Sequence, residues 1–403
     1  MAAIERASIV LAGVAVATLT GMLAHAAVPA EAPRLDLFLG LAPSLAVVAL
    51  AVNLLPERWF TRGQLAGMIL LWLGWRLAQW PTGEGLASVL ATMAALSLAF
   101  LPEGIGWRRL QVLVATGAIG ALFLVKSDWE RPVVGGALQL VALAGSRVRP
   151  TGLADRARCF FATNVTQSTP IPYDEAQKVD RSLDTLYRGA IWLALAAPAH
   201  VAGRAIVASA WSEPILSLDR GHYLLATGEA LWLWLGVMLD VAGIIFLDAG
   251  ALRLLGVKVD APVVEPWKSR DMLDYWRRAN TWRYRMMVEG YQRLFMPVSG
   301  PLMPVGVFIV FLLSGLHHAS TVVLDFFPFL RWTIEGLLCA INAAWNQWKQ
   351  ARDVQRYIVT GARPLRRGLA GAAALVILVH GFLQNVSRPE RETRQVIREW
   401  TSR

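Results

Sequence analysis

Only two cysteines, Cys159 and Cys339, occur in the 403 residues, far apart and without a Cys-x-x-Cys or Cys/His metal spacing. Neither a disulfide framework nor a structural zinc site is indicated. Charge is scarce as well, at 17% Asp, Glu, Lys and Arg, against about 25% in soluble domains. The motifs of common soluble enzymes are missing: no Gly-x-Ser-x-Gly elbow, no Walker loop, no Gly-x-Gly-x-x-Gly and no His-Glu-x-x-His. Any chemistry has to be built on another framework.

Apolar residues, by contrast, are in excess. They make up 55% of the chain without counting glycine, and mean hydropathy is +0.45. A soluble domain reaches about 45–50% with glycine included. Uncharged runs cover Ile9 to Ala30, Leu37 to Pro56, Gly85 to Pro102, Leu294 to Leu324 and Gly368 to Ser387. About 20 helical residues span a hydrocarbon core of about 30 Å, so several runs qualify. The expected fold class is all-α, a polytopic integral membrane bundle of about 10–12 helices, some re-entrant or interfacial.

Hydropathy places helices near Ile4 to Ala27, Leu35 to Leu55, Gln64 to Gln79, Glu84 to Leu101 and Trp107 to Val125. Pro132 to Gly145 is too short to span comfortably. Further spans are expected at Leu186 to Trp211, Leu224 to Leu255, Pro301 to Leu324, Phe329 to Trp348 and Gly368 to Gln384. Ala24-His25-Ala26 resembles a signal-cleavage pattern, but Met1 to Arg6 carries one Glu beside its Arg, so an uncleaved first helix is favoured. One membrane domain is expected over 1–403. Within it lie an N-terminal bundle (1–145), a polar loop (146–185), catalytic core helices (186–348), and a basic loop, last helix and C-terminal tail (349–403).

The net charge of +10 comes from 39 basic residues against 29 acidic ones. In a polytopic chain such an excess marks cytoplasmic loops and anionic lipid rather than nucleic acid, and no nucleic-acid partner is expected. Lys349 to Arg367, net +5, and Lys268 to Arg293, net +4, are assigned to the cytoplasm. From Lys258 to Gly300 basic residues alternate with Trp267, Tyr275, Trp276, Trp282, Tyr284, Tyr291 and Phe295, which suits helices at a membrane surface or polar cavity.

Six histidines are present, and His317 and His318 are adjacent in an apolar run. Consecutive helical residues point about 100° apart, so the two would not share a metal readily, and no metal site is expected. Desolvation keeps an imidazole neutral and able to accept a proton, as a general base must. Helix packing, with a hydrogen bond to a neighbour, is the favoured account of a lone membrane histidine, and His200 and His380 are left in that category. Arg204 with His200, and Glu229 with Asp240, are read as partners within or between helices.

Gly306-Val-Phe-Ile-Val-Phe-Leu-Leu-Ser-Gly-Leu-His-His318 resembles the membrane-bound O-acyltransferase family, whose signature is an apolar helix ending in Gly-Leu-x-His. Upstream, Ser269-Arg-Asp-Met-Leu-Asp-Tyr-Trp-Arg-Arg-Ala-Asn280 resembles its Ser-x-x-x-Asp-Phe-Trp block, and Gly250-Ala-Leu-Arg-Leu-Leu-Gly256 the stretch before that. The resemblance covers roughly Leu239 to Gly336. It implies a bundle around a central tunnel, with His318 as catalytic base and Asn280 orienting the acyl group or oxyanion. Asp274, Trp276 and Arg277 fall on positions of that block and are assigned, with Arg278, Arg283 and His317, to donor or substrate binding; Arg277, Arg278 and Arg283 suit the phosphates of a donor or snorkel at lipid headgroups. Ala279 replaces a usual tryptophan, His317 stands where Trp is common, and Leu330-Arg-Trp-Thr-Ile-Glu-Gly336 lacks the later histidine of the family.

The resemblance further implies a bacterial inner-membrane enzyme with no permanently bound cofactor, of the branch that acylates envelope polysaccharides or teichoic acids. It would take an acyl-CoA or acyl-carrier thioester as donor and a hydroxyl of a glycan, secreted metabolite or lipid as acceptor, with membrane lipids and an extracytoplasmic protein as partners. The alternatives are a lipid-alcohol acyltransferase and a transporter using Glu229, Asp240 and Asp248.

Overall fold

The computed structural model describes residues 2–27, 33–78, 89–90, 93–94, 105–124, 153–162, 171, 173–210, 221–269, 271–285, 302–321 and 326–351. Most of the span expected at Glu84 to Leu101, the run Pro132 to Gly145, and the last helix with His380 lie outside them. Every regular element among the described residues is helical, and the only extended contact is an isolated bridge between Val179 and Val257. Among the described residues, three stretches are long and apolar enough to cross a membrane: Ala3–Leu23, Leu183–Val207 and Leu224–Leu254.

The chain packs as two compact units. The first holds residues 1–115, 131–205 and 236–262; the second holds 116–130, 206–235 and 263–403. In the first, α1 (Ala2–Ala27), α2 (Pro33–Leu54) and α3 (Glu57–Ala78) follow one another, each against the next. Helix α3 begins well before the expected Gln64, because Pro56 precedes its first turn and Glu57 supplies an acid there. Helix α4 (Ile105–Leu124) begins in this unit and ends in the other.

Part of the stretch read as a polar loop is helical. Helix α5 (Leu153–Ala162) packs on α3, with Cys159, Phe160 and Phe161 buried. Arg158 is buried with them because its guanidinium donates to the Ala176 carbonyl at 2.9 Å. Beside it, the short α6 (Tyr173–Ala176) carries the buried Glu175, which accepts from Lys178 Nζ at 2.8 Å and from the Asp260 amide at 2.9 Å.

Helices α7 (Leu183–Ala210) and α8 (Tyr223–Leu254, 32 residues) are the long spans. Each begins in one unit and ends in the other, and between Gly189 and Ala205 of α7 and Gly236 and Leu254 of α8 they run antiparallel within the first unit. Gly189, Ala196 and Gly203 recur every seven residues on α7, and Gly236, Gly243 and Gly250 do the same on α8. The two backbones touch there. A Cβ at Gly203 would stand 2.2 Å from the Asp240 amide nitrogen, and one at Gly243 2.5 Å from that of His200. Small residues that allow this approach are the usual adhesive between membrane helices.

Three polar side chains satisfy backbone carbonyls that these helices leave without an intrahelical donor. Pro198, inside α7, cannot donate to the Ala194 carbonyl, and Thr20 Oγ1 of α1 donates to it instead at 3.2 Å. At the end of α8, Gly256 takes φ +77° and closes a Schellman turn, with amide bonds from Gly256 to Arg253 and from Val257 to Leu252, both at 2.9 Å. The free carbonyls of Leu254 and Leu255 accept from Asn53 Nδ2 at 2.8 Å and Gln64 Nε2 at 2.7 Å.

In the second unit a 3-10 turn, Pro266–Lys268, leads into α9 (Met272–Ala279) and the short α10 (Thr281–Tyr284). Helices α11 (Met303–Thr321) and α12 (Phe326–Ala351) form a closely packed hairpin, and α9 lies against α12. Trp332, Glu335, Cys339 and Ala343 make a buried stripe on α12 at helical spacing. Gly336 lets Phe311 of α11 approach: a Cβ there would be 2.6 Å from the Phe311 Cβ.

Candidate active site

Helix α9 carries the Asp-Tyr-Trp-Arg block, and its sequence dictates its pose. Asp271 is the N-cap, its carboxylate accepting from the Asp274 amide at 2.8 Å. Met272, Asp274, Tyr275 and Ala279 are buried on one side. Asp274 is a charge taken from water, and two guanidinium groups from the next turn hold it. Arg278 Nε donates to Oδ2 at 3.0 Å, and Arg277 Nη2 donates to Oδ1. The bond to Asp274 raises the Arg277 pKa, against the opposing effect of burial. The Arg277 side chain remains 62% exposed.

The chain around α9 is fixed at both ends. The Val264 amide donates to the Arg278 carbonyl at 2.8 Å, and Glu265 adopts φ +45° to enter the 3-10 turn. Asn280 ends α9. Its amide donates to the Trp276 carbonyl at 3.3 Å, while its own carbonyl accepts from the Tyr284 amide at 3.0 Å. The residue expected to orient an acyl group thus stands, half-buried, at the break between two short helices.

Trp276 is the hinge of the site. Its ring centroid lies 5.0 Å from Trp332 of α12 and 5.7 Å from Phe311 of α11, and those two are 5.9 Å apart. Tyr275 adds an edge contact to Trp276 at 5.8 Å, and its hydroxyl accepts from Trp234 Nε1 at 3.1 Å. Offset and edge-on aromatic pairs contribute about 0.5–1.5 kcal/mol each beyond the area they bury. This triangle joins the α9 block, the Gly306–His318 helix and the Trp332 element, which are distant in sequence.

Helix α11 runs unbroken through His317 and His318 to Thr321. The side chains of both histidines and of Arg283 lie outside the described residues. On the backbone, His318 is seven positions after Phe311. That is two turns along the same helix face, about 10 Å beyond the aromatic triangle. Among the described residues no group of three His, Cys, Asp or Glu is placed to hold a metal.

Arg253, in the Gly250–Gly256 stretch, belongs to the first unit and closes a loop. Its Nε and Nη2 donate to the Val259 carbonyl at 3.0 and 2.6 Å, and its guanidinium sits 4.2 Å over the Trp192 ring.

The first unit holds a second polar cluster that the sequence reading paired differently. His200 Nδ1 of α7 lies 2.6 Å from Asp240 Oδ1 of α8, and Arg204 Nη1 is 4.0 Å from Oδ2. Asp240 therefore does not pair with Glu229, eleven residues away on the same helix, a separation of about 16 Å. The seven-residue recurrence of small residues, Gly and Ala on α7 and Gly on α8, identifies the correct partners once the two helices face each other. No protein-family model matches this chain, and no curated protein matches it.

Proposed function

We propose that the chain is an integral-membrane O-acyltransferase with His318 as its base. The observation that carries this reading is the Trp276–Phe311–Trp332 triangle, which draws the Asp-Tyr-Trp-Arg block onto the helix bearing Gly-Leu-His-His. In the proposed reaction His318 takes the proton of an acceptor hydroxyl as its oxygen attacks a thioester carbonyl. The carbon–sulfur bond then breaks, and the imidazolium returns the proton to the departing thiolate, leaving ester and thiol. Asn280 steadies the acyl oxygen, and Arg277, with Arg278 and Arg283, receives the donor's phosphates. Asp274 serves by holding two of these guanidinium groups, and His317 is assigned to substrate binding.

The favoured transfer is of an acetyl or similar group to an envelope glycan or secreted metabolite, in a multi-pass protein of a bacterial inner membrane. The test is acyl transfer in membranes from cells expressing parent or variant, read by mass spectrometry of glycans and lipids. His318→Ala is expected to abolish transfer while leaving insertion intact, and His317→Ala to retain activity. Asn280→Ala is expected to lower the rate about 100- to 1,000-fold. Parent-level transfer by His318→Ala would refute the reading.

A further inference from the structure

Helix α3 turns one face away from the rest of the first unit, and that face changes character along its length. Phe60, Gln64, Met68, Leu71 and Trp72 are buried, whereas Arg58, Trp59, Arg62, Ala66, Leu70 and Leu73 are exposed. At about 100° per residue, these six exposed positions fall within about 120° of the helix circumference. Two cations and an indole occupy the start of the face, and aliphatic side chains its remainder: Trp59 is 44% exposed, Leu70 59% and Leu73 38%. From Arg62 to Leu73 the apolar part extends about 16 Å, close to half the thickness of a hydrocarbon core.

The start of α3 lies at the aqueous end of the unit. Arg181, just before α7, donates from Nη1 to the Leu55 carbonyl at 2.8 Å, pairs with Glu57 through Nη2, and sets its guanidinium 5.0 Å over the Phe60 ring. The one acid in the first turn of α3 is thereby taken, and among the described residues Arg58 and Arg62 have no carboxylate partner. They stand four residues apart on the same face, and Arg62 is held 5.1 Å over the Trp59 ring. We propose that this face binds one anionic phospholipid, with Arg58 and Arg62 donating to its phosphate and an acyl chain lying along Ala66, Leu70 and Leu73. The occupant follows from charge and polarity together: the uncompensated guanidinium pair calls for an anion, the stripe below it calls for hydrocarbon, and an amphiphile supplies both. Guanidinium groups match phosphate oxygens in a two-pronged geometry, and tryptophan prefers the headgroup level. The choline of a zwitterionic lipid would bring a third cation beside the pair. The donors are side chains rather than the amides of the helix start. The site has no part in the acyl transfer proposed above, so either reading can fail alone.

The purified full chain in a non-ionic detergent, titrated with dioleoylphosphatidylglycerol or dioleoylphosphatidylcholine and read by native mass spectrometry, tests the proposal. The parent should hold one phosphatidylglycerol about tenfold or more tightly than phosphatidylcholine. Arg58→Gln and Arg62→Gln, both at exposed positions, should each lower that preference, and together they should abolish it. Arg188→Gln removes an exposed cation already bonded to Asp184 at 2.9 Å and should keep it. Glycerol phosphate shares the headgroup chemistry without the chains, and an excess of it should leave the lipid in place. The proposal is overturned if the parent binds the two lipids equally, if the Arg58 and Arg62 variants keep the parent's preference, if Arg188→Gln loses it as they do, or if glycerol phosphate displaces the lipid.

Discussion

At the residue scale, the best-defined electrostatic site lies at the aqueous start of α7. Ser182 caps the helix, its Oγ accepting from the Thr185 amide at 3.3 Å. Asp180 receives the Ser182 amide at 2.8 Å, Thr185 Oγ1 at 2.7 Å and Lys258 Nζ at 3.2 Å. Burial opposes ionisation of Asp180, but these donors outweigh it and lower its pKa to about 2. A carboxyl depressed in the fold stabilises it fully above the unfolded pKa of about 3.9, and that contribution is lost as pH falls through about 2. Thermal unfolding of the solubilised protein should therefore show the parent losing its advantage over Asp180→Asn between about pH 4 and pH 2. A constant gap across that window would mean that the carboxyl is not depressed. The Lys258 contact was not legible in the sequence, because Lys258 reaches Asp180 only once the Schellman turn at Gly256 brings two distant segments together.

At the element scale, the sequence made the long helices plain, since apolar runs of membrane-spanning length have few other uses. It was less informative about how they meet. The glycines of α7 and α8 were visible as letters, but their seven-residue recurrence became meaningful only when the two helices faced each other. Helix α5 was obscured for the opposite reason: Arg156 and Arg158 gave the stretch a solvated character, while Arg158 in fact lies buried against Ala176. Gly243→Leu tests the close approach. Its side chain would meet the His200 backbone at 2.5 Å or less, and overpacking of this kind typically costs about 1–3 kcal/mol. The variant should unfold at lower temperature or denaturant than the parent, whereas Gly228→Leu, with open space around it, should not. Equal losses at both positions would remove the case for backbone contact. The α9 block was the most legible part of the candidate site, though its aromatic triangle depends on Phe311 and Trp332, which the sequence reading did not single out.

At the scale of the whole molecule, the first unit presents one charged end. Arg158, Lys178, Arg181, Arg188, Arg253 and Lys258 gather where α7 starts and α8 stops, joined by the Lys258–Lys178 backbone bond at 2.8 Å. Lys and Arg counted near span ends set orientation, and neighbouring acids contribute little. This end is expected to face the cytoplasm. A cysteine introduced by Lys258→Cys should react with a membrane-impermeant maleimide in inverted vesicles and stay unlabelled in intact cells; the reverse pattern would invert the topology.

Helix α8 sets a further constraint through its length. Its 32 residues extend about 48 Å, well beyond a hydrocarbon slab of about 30 Å. Such hydrophobic mismatch is relieved by leaning, by local thickening of the bilayer, or by wetting one end. The protein is thereby made responsive to lipid acyl length: thick membranes would let α8 stand more upright and thin ones would force it over, so lipid composition becomes a mechanical input to whatever this helix holds in place.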